Sequence, residues 1–281
     1  MTLQASDHAR AGPPDVSPSS QSPGVDFKEV SYVLPDGRVL LDRINLSLES
    51  GTTTAILGRS GSGKTTLLRM VNGLAMPSRG EVIVRGQSTT TCDLIALRRG
   101  IGYVIQESGL FPHLSIERNV GMVLELQGNG QDPRRTRVER LLGDVGLDAK
   151  MFAHRHPWQL SGGQRQRAGL ARALAAEPDI LLMDEPLGAL DPITRWEMQE
   201  MLRGLLARMR KTVLLVTHDL NEALYLASRI VFLEAGKIVA DLPAADVVGS
   251  DVPEVRKYVQ ALRHEHEQHT PKSVALGEDA Q

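Results

Sequence analysis

Residues 58–65 read GRSGSGKT. The spacing G-x-x-x-x-G-K-[ST] is that of a loop whose backbone N–H groups wrap nucleotide phosphates. Gly58, Gly61 and Gly63 leave room for the chain to close on an anion. Lys64 is placed to reach the β- and γ-phosphates, and the Thr65 hydroxyl to sit on Mg2+. The expected binding loop is therefore Gly58, Arg59, Ser60, Gly61, Ser62, Gly63, Lys64, Thr65 and Thr66. Residues 180–185, ILLMDE, supply acid at the end of an apolar strand, where open parallel sheets bind ligands. Asp184 is the candidate Mg2+ ligand there. Glu185 remains free to orient or deprotonate an attacking water.

A second glycine pair stands about a hundred residues after the first, in LSGGQRQR at 160–167. It has no lysine. Ser161 and the N–H groups of Gly162 and Gly163, at a helix start, offer donors to a phosphate, with Gln164 beside them. Gln106, in GYVIQESGLFPH, and His218, in VLLVTH, each follow an apolar strand. A polar residue at that point reaches toward Mg2+ or a terminal phosphate. A strand-end capping role is the alternative for His218.

These groups need elements to hold them. VDFKEVSYVL (25–34) and VLLDRINLSLES (39–50) read as strands joined by the turn PDG. TTTAILG (52–58) is a strand running into the glycine loop, and KTTLLRMVNGL (64–74) a helix ended by Gly73. GEVIVRGQ (80–87) reads as another strand. Asp132-Pro133 opens a helix that Gly146 stops, so residues near 107–160 read as a mainly helical insertion. DILLMDE and TVLLVTH are continuous apolar runs, the pattern of parallel strands buried on both faces. Between them Met198, Met201, Leu202, Leu205, Leu206 and Met209 follow a helical period and read as core. RIVFLEAGKIVADL (229–242) reads as a hairpin turning at Ala235-Gly236.

The chain has 281 residues, 41% hydrophobic and 23% charged, ordinary for a globular protein. Its 32 basic and 34 acidic residues give a net charge of −2, so the totals give no support to nucleic-acid or anionic-lipid binding. The single cysteine, Cys92, excludes a disulfide framework and fits a cytosolic address. No signal peptide and no apolar stretch long enough to span a membrane are visible. Residues 1–24 are rich in Pro, Ser and Gly and read as a disordered tail. Residues 246–281 read as a helix and a polar tail. The three histidines of RHEHEQH (263–269) belong to its exposed end, with metal binding as the alternative.

Taken in order, GRSGSGKTT, Gln106, LSGGQ, LLMDEP, ALD at 189–191 and His218 resemble the full motif series of the ATP-binding cassette (ABC) ATPases. The resemblance covers residues 25–245. It implies an α/β fold: a P-loop NTPase (RecA-like) core with a mainly parallel sheet, an N-terminal antiparallel β-subdomain and an inserted α-helical subdomain. It implies ATP and Mg2+ as ligands, and two copies packed head to tail, as a homodimer or with a second ATPase subunit. Each ATP then lies between one copy's phosphate loop and the other's Ser161, Gly162, Gly163 and Gln164. Gln106 resembles the residue sensing Mg2+ and γ-phosphate, Asp191 the one linking the two sites, and His218 the switch histidine. The family's adenine-stacking aromatic is replaced by Leu34; Tyr32, two residues earlier, either substitutes for it or is core.

A small-molecule kinase has no use for LSGGQ and Glu185. A soluble cassette acting in repair or translation carries long coiled coils or two cassettes in one chain, absent here. The resemblance thus implies the ATPase subunit of a membrane importer, held by permease subunits at the cytoplasmic face of the inner membrane and served indirectly by a solute-binding protein. ESGLFPHLSIERNV (107–120) is where a permease helix docks in that family; the alternative for Leu110 and Phe111 is packing within the insertion. YVIQESGLFPHLSIERNV and LMDEPLGALDPITR are most similar to the osmoprotectant and quaternary-amine branch (glycine betaine, choline), with a lipid importer as the alternative.

Overall fold

A computed structural model describes residues 24–269, with side chains through His264. Of the expected tails (1–24 and the end of 246–281), residues 1–23 and 270–281 lie outside the described residues. In chain order the elements are β1 (Val25–Val33), β2 (Val39–Leu48), β3 (Thr53–Leu57), α1 (Lys64–Val71), β4 (Arg79–Val84), β5 (Gln87–Ser88), α2 (Leu94–Arg99) and β6 (Ile101–Val104). Then come α3 (Ile116–Leu126), α4 (Gln131–Asp144), α5 (Ala149–Phe152), α6 (Gly162–Leu174) and β7 (Ile180–Asp184). The chain continues with α7 (Pro192–Met209), β8 (Thr212–Thr217), α8 (Leu220–Leu226), β9 (Arg229–Glu234), β10 (Lys237–Pro243) and α9 (Pro253–His269).

Two sheets form. One is antiparallel, in the order β2-β1-β4-β5; the other runs β10-β9-β3-β8-β7-β6. Within the second, β9, β3, β8, β7 and β6 are mutually parallel and β10 is an antiparallel edge. The continuous apolar runs explain it. Alternate residues of a strand face opposite sides. Leu57, Met183, Leu215 and Phe232 enter one core, with α3, α4, α6, α7, α8 and α9. Ile56, Leu182, Leu214 and Val231 enter the other, with the antiparallel sheet and α1. Both faces are packed, so the polar strand ends are where a ligand can approach these strands.

Parallel pairing has a directional consequence. The carboxyl ends of β3, β8, β7 and β6 lie along one edge, in that order. The glycine loop follows β3, His218 follows β8, Asp184 ends β7, and Gln106 lies two residues after β6.

Three local boundaries differ from the sequence expectation. GEVIVRGQ is not one strand: Arg85 and Gly86 both adopt positive φ, 49° and 77°, and turn the chain into the β4-β5 hairpin. The helix expected to begin at Asp132-Pro133 begins at Gln131 with Gly130 as N-cap, and Asp132 lies in its first turn. Helix α2 was not legible as such; its start is set by Asp93, whose side chain accepts from the Ile95 and Ala96 N–H groups.

The segment after Gln106 is held by a partly buried arginine and a buried asparagine. Arg172 of α6 donates to the carbonyls of Ser108, at 3.0 Å, and Gly109, at 2.6 Å. Gly169 lets that loop press on α6, since a Cβ there would lie 2.9 Å from the Ser108 oxygen. Fully buried Asn119 of α3 accepts from Phe111 N–H and donates to the carbonyls of Phe111, Leu114 and Ser115. Asn119→Ala takes the partner from the Phe111 N–H and the Leu114 carbonyl, while the Phe111 and Ser115 carbonyls keep the Leu114 and Asn119 N–H groups. It is expected to cost about 2 kcal/mol in urea unfolding, with the m-value unchanged.

Candidate functional site

The glycine loop is tight because its neighbours demand it. A Cβ on Gly58 would lie 2.3 Å from the Leu233 carbonyl oxygen. Gly63 has φ +101°, and a Cβ there would meet Leu41 of β2 at 2.6 Å. The antiparallel sheet therefore packs directly on the loop. Lys64 is buried, 5% exposed, and its Nζ donates to the carbonyls of Gly58 at 2.8 Å and Arg59 at 3.0 Å. Burial pushes its ammonium below the ordinary lysine range, while the charges of Glu185 and Asp184 act the other way. A buried cation bonded to neutral carbonyls at the start of a helix is a strong electrostatic host for an anion. The Ser62 hydroxyl is also buried and has no partner among the described residues.

The loop reaches the acidic strand end directly. Thr65 Oγ1 donates to Asp184 Oδ1 at 2.9 Å, spanning the width of β8. The Tyr103 hydroxyl approaches Asp184 Oδ2 at 3.4 Å. A hydroxyl and a carboxylate in contact are hard oxygen donors of the kind Mg2+ takes. Glu185 follows with φ +44°, a left-handed conformation costing roughly 1–2 kcal/mol for a residue with a Cβ. Its N–H donates to the Val216 carbonyl at 2.9 Å, which helps hold the strained turn. His218 Nδ1 lies 3.3 Å from Glu185 Oε2, so β7 and β8 bring the two candidates together.

Gln106 is exposed and stands apart from this cluster. It lines a cleft of about 310 Å3 with Gly162, Arg165, Gln166, Pro186 and Leu190, and no hydrogen bond joins it to Thr65 or Asp184 among the described residues. Tyr32 is half-buried on the antiparallel sheet's core, directly across from Leu41, the residue that covers Gly63. It shares a face with the loop's cover, so packing accounts for part of its surface.

The second glycine pair begins α6. Ser161 is the N-cap: its hydroxyl accepts from Gln164 N–H at 3.3 Å, and the Gln164 side chain accepts from Ser161 N–H at 3.0 Å. The Gln164 amide oxygen is thus turned back onto its own helix. The two glycines differ. Gly163 is buried, and a Cβ there would lie 2.4 Å from Thr194 of α7. Gly162 is exposed, with nothing nearer than 4.0 Å. Asp191 caps α7, accepting from Thr194 N–H at 3.0 Å, a bond that lowers its carboxyl below the ordinary range. Asn119, Arg172 and Glu222 of α8 were missed in the sequence: a lone buried polar residue in a helix carries no motif.

A family model for ABC transporters matches residues 41–188. This chain belongs to the ABC transporter family. Its likeness to the osmoprotectant import ATP-binding protein OsmV of Salmonella typhimurium is 45% identity over 230 residues, 79% of this chain and 60% of that protein. Likeness to the taurine import ATP-binding protein TauB of Sinorhizobium fredii is 43% over 248 residues, 83% of this chain and 89% of that one. The chain spans about three-fifths of OsmV's length. The bacterial ABC transporter cassette MJ0796, solved as a dimer, superposes with a TM-score of 0.72 at 36% identity, over 78% of this chain and 98% of that one. The same cassette, as a post-hydrolysis dimer bound to ADP and Pi, gives 0.71 at the same identity and coverage. The P-loop NTPase fold expected from the motifs, a mostly parallel sheet with an antiparallel sheet beside it, is the fold observed. No helix among the described residues is long and apolar enough to cross a membrane.

The glycine contacts make a stability prediction. Gly163→Val, which drives a side chain into Thr194, is expected to lower the melting temperature clearly. Gly162→Val meets only ordinary van der Waals contact with Arg165 and Leu190 and is expected to change it by less than half as much, as measured by calorimetry on the two variants.

Proposed function

We propose that this chain is an ATP-hydrolysing subunit energising a membrane importer. The observation that carries it is the pair of phosphate-donor sets presented by one chain, whose glycines are packed on different residues. The glycine loop rests on Leu41 and Leu233, whereas Gly163 lies against Thr194 and Gly162 lies near Leu190. Exposed Gly162 has no packing reason within its own chain. A facing copy's γ-phosphate gives it one, so two chains pack head to tail and hold two ATP molecules.

Within each site the loop from Gly58 to Thr66 wraps the phosphates, and Lys64 supplies the charge. Thr65, Asp184 and Gln106 would hold Mg2+, which would neutralise phosphate charge. Glu185 accepts a proton from the attacking water. His218, 3.3 Å from Glu185, faces the γ-phosphate and keeps that carboxylate aimed. Ser161 donates its hydroxyl proton to the γ-phosphate while still accepting from Gln164 N–H. Gly162 and Gly163 contribute backbone N–H groups, and Asp191 meets the other site across the dimer. Tyr32 stacks on adenine with the face it leaves uncovered.

The chain works on the cytoplasmic side of the membrane, bound to permease subunits that receive solute from a binding protein. Phe111 is 42% exposed in a loop fixed by Asn119, a rigid apolar point for a permease helix. The cargo is an osmoprotectant of the quaternary-amine type, glycine betaine or choline, on the motif likeness and the likeness to OsmV.

Glu185→Gln is expected to bind ATP, hydrolyse it at least a hundredfold more slowly and accumulate as a dimer in size-exclusion chromatography. A monomer at saturating ATP contradicts the reading. Phe111→Ala is expected to leave ATPase activity of the isolated chain within about twofold while abolishing ATP-driven uptake in vesicles carrying the permease. Loss of both activities together places Phe111 in packing instead.

A further inference from the structure

Glu222 has no surface to serve. It is 4% exposed in the first turn of α8, and its Oε1 has no hydrogen-bond partner among the described residues. Its Oε2 accepts the Thr217 hydroxyl at 2.6 Å. The Thr217 oxygen accepts the Asp219 N–H at 3.1 Å. One carboxylate therefore fastens the residues on both sides of His218. The Asp219 side chain closes the turn by accepting from the N–H groups of Asn221 and Glu222. Against this fixed frame the His218 side chain stands 60% exposed, 3.3 Å from Glu185.

Packing gives no reason for an acid here. An apolar side chain would fill the same space without the cost of burying a carboxyl group. That cost is visible: burial raises the Glu222 carboxyl to about 7, opposed by the Thr217 hydrogen bond. Asp219 and Glu185 push the same way as burial, and Arg195 of α7 pulls it down. Arg195 also donates to the Leu190 carbonyl at 3.0 Å, one residue before Asp191. The positive charge facing Glu222 thus belongs to the turn that carries Asp191.

We propose that Glu222 is a positioning residue for ATP hydrolysis: through the Thr217 hydroxyl it fixes the loop that aims His218 at the γ-phosphate. The inference rests on the role given to His218 above. The carboxylate touches no reacting atom. It holds the peptide on either side of one that does. Protonated on the free Oε1, it still accepts from Thr217 through Oε2, so the frame survives at low pH with a weaker bond. The Glu222→Gln amide reproduces that neutral acceptor, whereas Glu222→Leu does not.

The test compares steady-state ATPase of the full chain with that of Glu222→Gln, Glu222→Leu, Thr217→Val, the Leu/Val double variant and His218→Ala. Melting temperatures confirm that each is folded. Glu222→Leu and Thr217→Val are each expected to lower kcat at least tenfold, with KM for ATP within about twofold. The double variant falls no further than the worse single one. Glu222→Gln is expected to match the unsubstituted chain below pH 6 and to fall at least threefold behind it at pH 8, where only the unsubstituted carboxyl is charged. Full kcat in Glu222→Leu with an inactive His218→Ala overturns this inference alone. Multiplicative losses in the double variant, or a Glu222→Gln ratio constant with pH, overturn it too. Full activity in His218→Ala removes the histidine's role and this inference together. Stability gives a further check. Because the folded carboxyl titrates about 7 and the unfolded one near 4.5, the folded chain loses stability as pH rises between those values. Glu222→Gln is expected to melt progressively higher than the unsubstituted chain between pH 5 and pH 8; an equal offset at both contradicts the burial argument.

Discussion

Lys64 closes its own loop: its ammonium donates to the carbonyls of Gly58 and Arg59, at 2.8 and 3.0 Å. A buried cation satisfied only by neutral oxygens is poised for an anion, and the rest of the site is arranged around that need. Leu41 presses on Gly63 from the antiparallel sheet, and Leu233 on Gly58 from the parallel one. The loop cannot relax away without disturbing both sheets. The parallel order β3-β8-β7-β6 then lines up Thr65, His218, Asp184, Glu185 and Gln106 along the same edge. Chemistry is local here because topology is not: residues over a hundred positions apart meet through strand pairing.

The same edge is joined to the helical part of the chain. The residues after Gln106 are clasped by Arg172 of α6, and α6 begins at the second glycine pair. The stretch beyond them is framed by Asn119 and ends in an exposed Phe111. A shift at Gln106 therefore has a packed route both to Ser161 and to the surface proposed to meet a permease. Rigid polar clamps make that route mechanical, since fully bonded buried groups resist small independent movements.

Most of this was legible in the amino-acid sequence, for definite reasons. The glycine loop, the acidic strand end and the apolar runs have spacings that few structures satisfy. The two glycines of LSGGQ stood out as a pair, but their separate duties did not. Only the packing shows that Gly163 makes room for Thr194 while Gly162 is exposed and uncrowded. The hairpin at Arg85-Gly86 was hidden in a run that alternates like one strand, because a two-residue turn costs the pattern almost nothing. Asn119, Arg172 and Glu222 left no trace, since what each does depends on partners brought near by the fold. Tyr32 was read two ways, and the structure gives it a packed side and an uncovered one.

The account stands on the site being shared between chains, and proximity tests that most directly. Ser60 and Ser161 are both exposed. On a Glu185→Gln, Cys92→Ser background, one preparation carries Ser60→Cys and the other Ser161→Cys. Mixed with ATP and a short thiol cross-linker, they are predicted to give a covalent dimer that neither preparation forms alone and that disappears without nucleotide. A chain carrying both cysteines that links only within itself, with no dimer in the ATP-loaded mixture, would contradict it.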